Sequence, residues 1–375
     1  IEGEIVMKAV VRLWQRDIPL KRPFKTALRT VSYVEDIVLE LVVDGISGYG
    51  SAAPTVVITG DSVDRISRSL QRDAVQLLRD WSGDSLEPFS MMAGRKFEST
   101  SARYMVESAL FDLAGVVSER SAASLLGGVK RTLLQNDITI SLNSPEEMAV
   151  DTADAVGKGI SILKLKVGDG ADMDLRRLDS VCEAITDTTV LRLDANQAWN
   201  VEDARFLLHE FEKRKYPIDV IEQPVPAKDL DGLRRIREFS PYPVMADESL
   251  FNAADAVALI EHGAADILNI KLAKCGGFLD ALNICRLAED AGLECMLGCM
   301  MEGPVGIVAA CNLAVSQQVI TRVDLDCPVL YEQLPGSYST RFEADRIVYA
   351  EADGLGIEDA ALTGLRVHKL WEVGV

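Results

Sequence analysis

The chain has 375 residues, enough for two to three domains, and 48% of them are hydrophobic. No apolar run approaches the roughly 20 residues that a membrane-spanning helix needs, and we expect neither a membrane span nor a signal peptide. The formal net charge of −19 argues against nucleic acid as a partner, because phosphate binding requires basic patches.

The N-terminal part, residues 1–128, predicts an α+β capping domain. Residues 1–6, which precede Met7, are set aside as a candidate cloning remnant. Alternating apolar residues predict an antiparallel meander, and two longer segments have the apolar period of amphipathic helices. The strand segments are VVRLWQ, DIVLELVVDG and GYGSAA, and the helical ones are SVDRISRSLQRDAVQLLRD and ARYMVESALFDLAGVV.

Residues 129–328 repeat a pattern of one strand followed by one helix. Eight such units predict an α/β fold with a TIM-like (β/α) barrel, in which the carboxyl ends of the strands form the active face. A doubly wound open sheet is the alternative, but it would need fewer units and a glycine-rich first turn. The predicted strands are DITISL, ILKLKV, VLRLD, DVIEQ, PVMAD, DILNIKL, LECMLG and TRVDLD.

The pattern stops after residue 328. In residues 329–375, RFEADRIVYAEADGLGI indicates strands and a turn. We expect this segment to pack back on the capping domain.

Charged residues end most of the predicted barrel strands. Burying a charge is costly unless it is paired or binds a metal, so their recurrence predicts one assembled site. Strands 2 and 6 face each other across a ring of eight, which places amines on opposite sides with carboxylates along one wall between them. The lysines are Lys164, Lys166 and Lys271, and the carboxylates are Asp194, Glu222 and Asp247.

Three carboxylates without a nearby histidine or cysteine favour a hard cation, and Mg²⁺ fits best. Glu248 follows Asp247 directly, so either of the two could be the ligand. Lys274 comes after the sixth strand, near two glycines, and is interpreted as peripheral.

Two opposed lysines beside a metal suit removal of a proton α to a carboxylate, with the metal stabilising the resulting enediolate. One lysine must be neutral to act as a base, and Lys164 is placed to lower the pKa of Lys166. A base on each face would allow racemisation or epimerisation. No histidine ends a strand, which disfavours a histidine base and a Ser–His–Asp hydrolase.

Asp324 and Asp326 share one face of strand 8 by the two-residue period of a strand. They could pair with a cationic group at the far end of the substrate, which predicts an unblocked amino-acid derivative of about dipeptide length. A purely structural cluster is the alternative. Among the seven cysteines, which lack CxxC spacing and predict reduced thiols in a cytoplasmic protein, Cys299 is the one placed to line a site.

The strand-end motifs resemble those of the enolase superfamily, muconate-lactonising subgroup, over almost the whole chain. These motifs are KLKVG, LRLDANQ, VIEQPV, MADES and NIKLAKCGG. The DLD of Asp324–Asp326 is similar to the aspartate pair of dipeptide epimerases, where it holds the α-ammonium of the substrate. PFKTALRTV and VVITGD resemble the loops that close over the barrel in L-Ala-D/L-Glu epimerases.

This resemblance implies a modified (β/α)7β barrel, Mg²⁺ as cofactor, a dipeptide substrate and a tendency to form homo-oligomers. It also implies that Lys166 and Lys271 are the acid/base pair and that Arg29 binds an acidic side chain. Further residues would line the cap or the dipeptide site: Phe24, Ile58, Thr139, Cys299 and Met301. Two positions depart from the family pattern, Ser51 where relatives often have Glu, and Cys299 where the closest relatives have Ser.

The leading hypothesis is a Mg²⁺-dependent dipeptide epimerase that inverts the α-carbon of the C-terminal residue, with cell-wall peptide metabolism as the context implied by the resemblance. The alternatives on the same scaffold are o-succinylbenzoate synthase, muconate cycloisomerase and N-acylamino-acid racemase. Asp324 and Asp326 speak against them, because those substrates lack an ammonium group. A metal-dependent peptide-binding protein would not need two opposed lysines.

Overall fold

The computed structural model describes residues 9–26, 30–81, 86–358 and 366–375. The strands in these ranges are β1 (Ala9–Lys25), β2 (Thr30–Val43), β3 (Ile46–Ala52), β4 (Leu133–Gln135), β5 (Ile138–Ile140), β6 (Ile162–Lys166), β7 (Val190–Asp194), β8 (Ile218–Glu222), β9 (Val244–Ala246), β10 (Ile267–Ile270), β11 (Glu294–Gly298), β12 (Ile320–Asp324), β13 (Arg341–Glu343), β14 (Arg346–Val348) and β15 (His368–Gly374).

The helices alternate with the strands of the central region, and the longest of them packs against β2 and β3 of the N-terminal sheet. They are α1 (Val63–Ser69), α2 (Val75–Asp80), α3 (Pro88–Met92), α4 (Thr100–Ser118), α5 (Ala122–Leu125), α6 (Pro145–Gly157), α7 (Ala171–Cys182), α8 (Val201–Arg214), α9 (Leu230–Phe239), α10 (Ala253–Glu261), α11 (Leu272–Cys275), α12 (Phe278–Ala291), α13 (Pro304–Ser316) and α14 (Cys327–Leu330). A π-helical turn, Leu70–Ala74, joins α1 to α2.

The N-terminal sheet has the strand order β15-β1-β2-β3, and all its pairings are antiparallel. Helix α4 crosses it closely, because Gly48 and Gly50 leave room for the helix backbone. A Cβ atom on Gly50 would lie 2.0 Å from the carbonyl oxygen of Met105. The predicted meander and its α+β character are therefore confirmed.

The central sheet runs from β5 to β12 in chain order, and all its pairings are parallel. A parallel bridge between Asn136 and Val323 joins its two ends. The Leu325 N–H also donates to Asn136 Oδ1 at 2.8 Å. The sheet therefore closes into the predicted barrel, and the eighth strand is followed only by the short α14.

The inside of the barrel is layered by the alternation of side chains along each strand. A buried apolar layer consists of Val220, Met245, Ile267 and Met296. Two residues further along three of these strands, the side chains become charged or polar, namely Glu222, Asp247 and Asn269. The apolar layer thus supports a polar layer at the carboxyl ends.

The C-terminal segment divides its contacts between the two parts of the molecule. Strand β14 of the β13–β14 hairpin pairs with β4, which precedes the first barrel strand β5, whereas β15 pairs with β1 in the N-terminal sheet. The expectation that the whole segment returns to the cap thus covers only part of it. The edge of β4 offers unpaired backbone groups, and the hairpin satisfies them.

None of the helices in the described ranges is both long and apolar enough to cross a bilayer. All seven cysteines are free thiols, and five of them are buried. The predicted core location is therefore confirmed for these five thiols.

Replacing Gly50 by Ala should lower the free energy of unfolding by about 1–3 kcal/mol, because the new methyl group would collide with backbone atoms that cannot swing aside. Urea denaturation monitored by circular dichroism gives the value. Gly157→Ala is the matched control, since a Cβ there meets nothing within 4 Å. Equal stability of the two variants would show that α4 does not approach the sheet as closely as described.

Candidate active site

The carboxyl ends of the barrel strands and two segments of the N-terminal domain enclose one polar cavity. Asp194 and Glu222 lie directly beneath it, in contact with Lys164. Arg29 lies outside the described residues. The other predicted site residues line the cavity: Phe24, Ile58, Thr139, Lys164, Lys166, Asp247, Lys271, Cys299, Met301, Asp324 and Asp326.

The register of the parallel strands places these groups side by side. Lys166 is paired with Asp194 on the next strand, and Asp194 with Glu222 on the strand after that. Lys271 caps the end of β10, four strands from β6 in a ring of eight. The two lysine-bearing strands are therefore opposite each other, as predicted.

Lys164 occupies the centre of the charged layer. Its Nζ lies 2.7 Å from both Asp324 Oδ2 and Glu222 Oε2, and 3.3 Å from Asp194 Oδ2. These carboxylates come from three different strands, so one ammonium group connects both sides of the barrel. The side chain is 1% exposed.

The charges in this layer shift one another's pKa values. Burial alone would lower the pKa of Lys164, but Asp324 and Glu222 outweigh burial and hold it well above its usual value. Burial would raise the pKa of Asp324, yet Lys164 and Lys166 lower it to about 2. Burial and the adjacent Asp194 raise the pKa of Glu222 to about 7. The layer therefore has an excess of negative charge on the side of Glu222.

The other two predicted lysines each pair with one carboxylate of the wall. Lys166 Nζ lies 2.5 Å from Asp194 Oδ2, and Lys271 Nζ lies 2.7 Å from Asp247 Oδ2. The backbone N–H of Asp247 donates to Gln223 Oε1 at 2.9 Å, which fixes the end of β9. Both lysines are thus held at the rim of the cavity by the carboxylates predicted to hold a metal.

Lys274 was predicted to be peripheral, and that interpretation is wrong. It is 2% exposed, and its Nζ lies 2.5 Å from both Asp247 Oδ1 and the carbonyl oxygen of Asp247. The four-residue helix α11 starts directly after β10, so a position three residues beyond Lys271 turns back toward the barrel instead of continuing outward. The spacing Lys-x-x-Lys at the start of a helical turn was the signal that could have revealed it.

Two further polar residues complete the wall, Asn196 and Glu248. Asn196 Nδ2 donates to Glu248 Oε1 at 3.3 Å, while burial and the neighbouring Asp247 raise the pKa of Glu248 to about 7. Within the described residues, Glu248 Oε2 is buried and accepts no hydrogen bond, whereas Glu222 Oε2 is buried 2.7 Å from Lys164 Nζ. Glu248 Oε2 is therefore available to a cation.

Strand β12 and the start of α14 form the opposite wall. Asp324 pairs with Lys164, and Asp326 Oδ2 accepts a hydrogen bond from the Thr139 backbone N–H at 2.9 Å. Burial and Asp324 raise the pKa of Asp326 to about 6, so a cation that enters here would find a carboxylate in need of positive charge. Cys327, which the sequence did not single out, also lines this wall.

Phe24, Val57 and Ile58 of the N-terminal domain cover the mouth. The Lys25 N–H donates to Ser141 Oγ at 3.2 Å, which ties the end of β1 to the barrel. The cavity measures about 70 Å³. Pockets for small molecules typically measure roughly 300–1,000 Å³, so a ligand of dipeptide size requires these covering side chains to move outward.

The fold and the charged barrel mouth define the class, a (β/α)-barrel protein with an N-terminal capping domain of the enolase superfamily. The profile described as "Mandelate racemase / muconate lactonizing enzyme, N-terminal domain" matches residues 8–127, and "Enolase C-terminal domain-like" matches residues 147–360. The chain belongs to the mandelate racemase/muconate-lactonizing enzyme family. The predicted resemblance and fold are both confirmed.

Three relatives show where in the family the chain lies. It is 41% identical over 359 residues to the L-Ala-D/L-Glu epimerase of Clostridium acetobutylicum, covering 94% of this chain and 99% of the relative. It is 36% identical, over 91% and 96% of the two chains, to the hydrophobic dipeptide epimerase of Enterococcus faecalis. A dipeptide epimerase structure from Cytophaga hutchinsonii, complexed with Mg and D-Ala-L-Val, has a TM-score of 0.88 at 31% identity and covers 99% of this chain and 100% of its own.

Lys274→Met should lower the free energy of unfolding of the metal-free protein by roughly 3 kcal/mol or more, because the buried Asp247 loses one of its two ammonium partners. Chemical denaturation in the presence of a chelator measures this loss. Lys158→Met removes an exposed pair with Asp154 and should leave stability nearly unchanged. If both variants match the parent, Lys274 contributes no buried ion pair.

Proposed function

We propose that this protein is a Mg²⁺-dependent dipeptide epimerase, an isomerase that inverts the α-carbon of the C-terminal residue. The observation that carries the proposal is the approach of Lys166 and Lys271 to one cavity from opposite strands. Paired carboxylates at the far wall add the means to recognise a free ammonium group. The relatives that are named epimerases support the same reaction class.

The side chains fit a divalent cation. Asp194, Glu222 and Asp247 present oxygens only, the donor type that Mg²⁺ prefers. The buried Glu248 Oε2, which accepts no hydrogen bond within the described residues, and the raised pKa of Glu222 both indicate missing positive charge at this wall. When bound, Mg²⁺ would polarise the substrate carboxylate and take over the carboxylates that otherwise pair with the lysines. Glu248 is the alternative ligand to Asp247.

The lysines would carry the proton transfer. One neutral lysine removes the α-proton on its side, and the opposite ammonium group returns a proton to the other face of the same carbon. Lys164, held between carboxylates of three strands, orients the reacting carboxylate of the substrate and contributes positive charge beside it. The lysines exchange their roles in the reverse direction.

Asp324 and Asp326 would hold the α-ammonium of the N-terminal residue. This contact favours a dipeptide over N-acylamino acids, muconate and succinylbenzoate precursors, which carry no such charge. The N-terminal residue of the substrate would lie against Thr139, Cys299 and Met301. The side chains of Phe24 and Ile58 would close the site. Arg29 would bind an acidic side chain, which makes L-Ala-D/L-Glu-like dipeptides the expected substrates.

The domains would divide this work. Residues 129–328 would supply the catalytic barrel, and residues 1–128 the cap that selects the side chain. Residues 329–375 would link the two parts.

The testing experiment is a dipeptide library incubated with the protein and Mg²⁺ in D₂O and analysed by mass spectrometry. Deuterium should appear at the C-terminal residue of a subset that includes Ala-Glu-like peptides, and a chelator should abolish it. If no dipeptide takes up deuterium but N-acylamino acids do, the protein is an N-acylamino-acid racemase and the proposal is wrong.

Lys166→Ala and Lys271→Ala should each lower the epimerisation rate by about 100-fold to 10,000-fold, because either variant lacks one of the two proton carriers. Each variant should still exchange the α-proton of the epimer that faces its remaining lysine, and NMR of each pure epimer in D₂O measures this. Lys213→Ala, which alters an exposed side chain, is the control. Unimpaired epimerisation in either active-site variant would exclude the two-base scheme.

N-acetylation of a good dipeptide substrate should lower kcat/KM by roughly 100-fold or more, because it removes the ammonium group that would pair with the buried Asp324 and Asp326. Steady-state kinetics with matched free and acetylated peptides give the ratio. Comparable kcat/KM values would mean that Asp324 and Asp326 do not bind an ammonium group.

A further inference from the structure

Two thiols and a carboxylate meet on the wall of the cavity that lies across from the carboxylate trio. Cys299 Sγ and Cys327 Sγ are 3.6 Å apart. One ligand atom from each of Cys299, Asp326 and Cys327 lies within 4.8 Å of the others. Five of the seven cysteines lie elsewhere in the chain, so this pairing at a cavity wall is a local feature.

The spacing matches what a soft tetrahedral cation requires. Zinc–sulfur bonds of about 2.3 Å at tetrahedral angles separate two sulfur atoms by about 3.8 Å. The observed separation is close to this without any rearrangement, whereas a disulfide would need the sulfurs to approach to about 2.05 Å. The spacing therefore accommodates a shared metal, and the two sulfur atoms are too far apart for a disulfide.

The donor types differ from those of the opposite wall. The trio of Asp194, Glu222 and Asp247 offers oxygens alone, which suits a hard cation, but thiolates select soft cations such as Zn²⁺. Met301 Sδ lies 3.9 Å from Cys327 Sγ and adds a further soft atom beside the cluster. The hydrogen bond from Thr139 fixes Asp326 and leaves its carboxylate facing the cavity.

We propose that Cys299, Cys327 and Asp326 form a second, thiophilic metal site that binds Zn²⁺ through two thiolates and one carboxylate oxygen. The cavity provides the fourth position for water. Binding replaces the two thiol protons by the metal, so each Zn²⁺ bound releases two protons and no oxidant is involved. The part-exposed Cys299 provides the route of entry from the cavity.

This site would make zinc an inhibitor. Asp326 is also a proposed partner of the substrate ammonium, so a metal-bound carboxylate could not receive it. Competition between zinc and dipeptide follows, and this step rests on the proposed epimerase function. The metal site itself does not.

The test uses Co²⁺ as a spectroscopic replacement for Zn²⁺, titrated into the fully reduced protein at saturating Mg²⁺. Mg²⁺ occupies the oxygen site, and only thiolate ligation gives an intense sulfur-to-cobalt charge-transfer band. One equivalent of Co²⁺ should produce this band, and Zn²⁺ should remove it. Absence of the band from protein with all seven thiols titratable would overturn the proposal.

Variants locate the site. Cys299→Ser and Cys327→Ser should abolish the band, and Asp326→Asn should weaken cobalt binding by about 10- to 100-fold. Cys182→Ser is the matched control, since Cys182 is part-exposed like Cys299 but lies on α7. Thermal melts followed by circular dichroism verify that the variants fold. If Cys327→Ser, which alters a buried residue, does not fold, the result for Cys299→Ser decides the test. A band that persists in folded Cys299→Ser contradicts the assignment.

Competition is measured separately. A dipeptide substrate at about ten times its Kd should weaken the apparent affinity for Co²⁺ about tenfold, whereas its N-acetylated form should not. A band that forms normally but resists a dipeptide that is turned over would refute the inhibitory overlap. If no dipeptide is a substrate, the band in the parent protein and its loss in Cys299→Ser still decide the metal site.

Discussion

The buried ammonium group of Lys164 is the interaction on which the barrel mouth depends. It is in contact with carboxylates from the adjacent strands β7 and β8 and with a carboxylate from β12, which lies across the barrel from β8. Without it, several carboxylates would face each other in a region that water barely reaches, at a cost of several kcal/mol per unpaired charge. The apolar layer beneath fixes the height at which these charges meet. The electrostatics of the barrel mouth therefore depend on the packing of the barrel interior.

The alternation of strands and helices predicted the barrel, because parallel strands that are covered on both faces must be apolar. A charged residue at the end of such an apolar run indicates a functional site, because burying a charge is costly. Lys166, Asp194 and Glu222 were found in this way, and strand register brings them together. The two-residue period that identifies these side chains ends where each strand ends.

Lys274 and Cys327 lie beyond the ends of their strands, where the two-residue period no longer applies. Each lies in a four-residue helix that follows a strand. Helix α11 packs against α4 and α12, and α14 packs against α13 and β1, so tertiary contacts accompany both turns of the chain. Composition could not separate Cys327 from the buried thiols of the core, because burial in a core and burial at a cavity wall favour the same residues. The C-terminal hairpin is similar, since its pairing with β4 depends on an unpaired edge that no local pattern reveals.

The charge balance of the mouth connects the two proposed cation sites. Six carboxylates (Asp194, Glu222, Asp247, Glu248, Asp324 and Asp326) face four lysines (Lys164, Lys166, Lys271 and Lys274), which leaves two negative charges unbalanced. Both walls contain carboxyl groups with raised pKa values, Glu222 and Glu248 on one and Asp326 on the other. Both walls therefore lack positive charge. One wall offers oxygen alone and the other adds sulfur. A hard divalent ion and a substrate ammonium could therefore divide the deficit between them, and a soft ion could displace only the second.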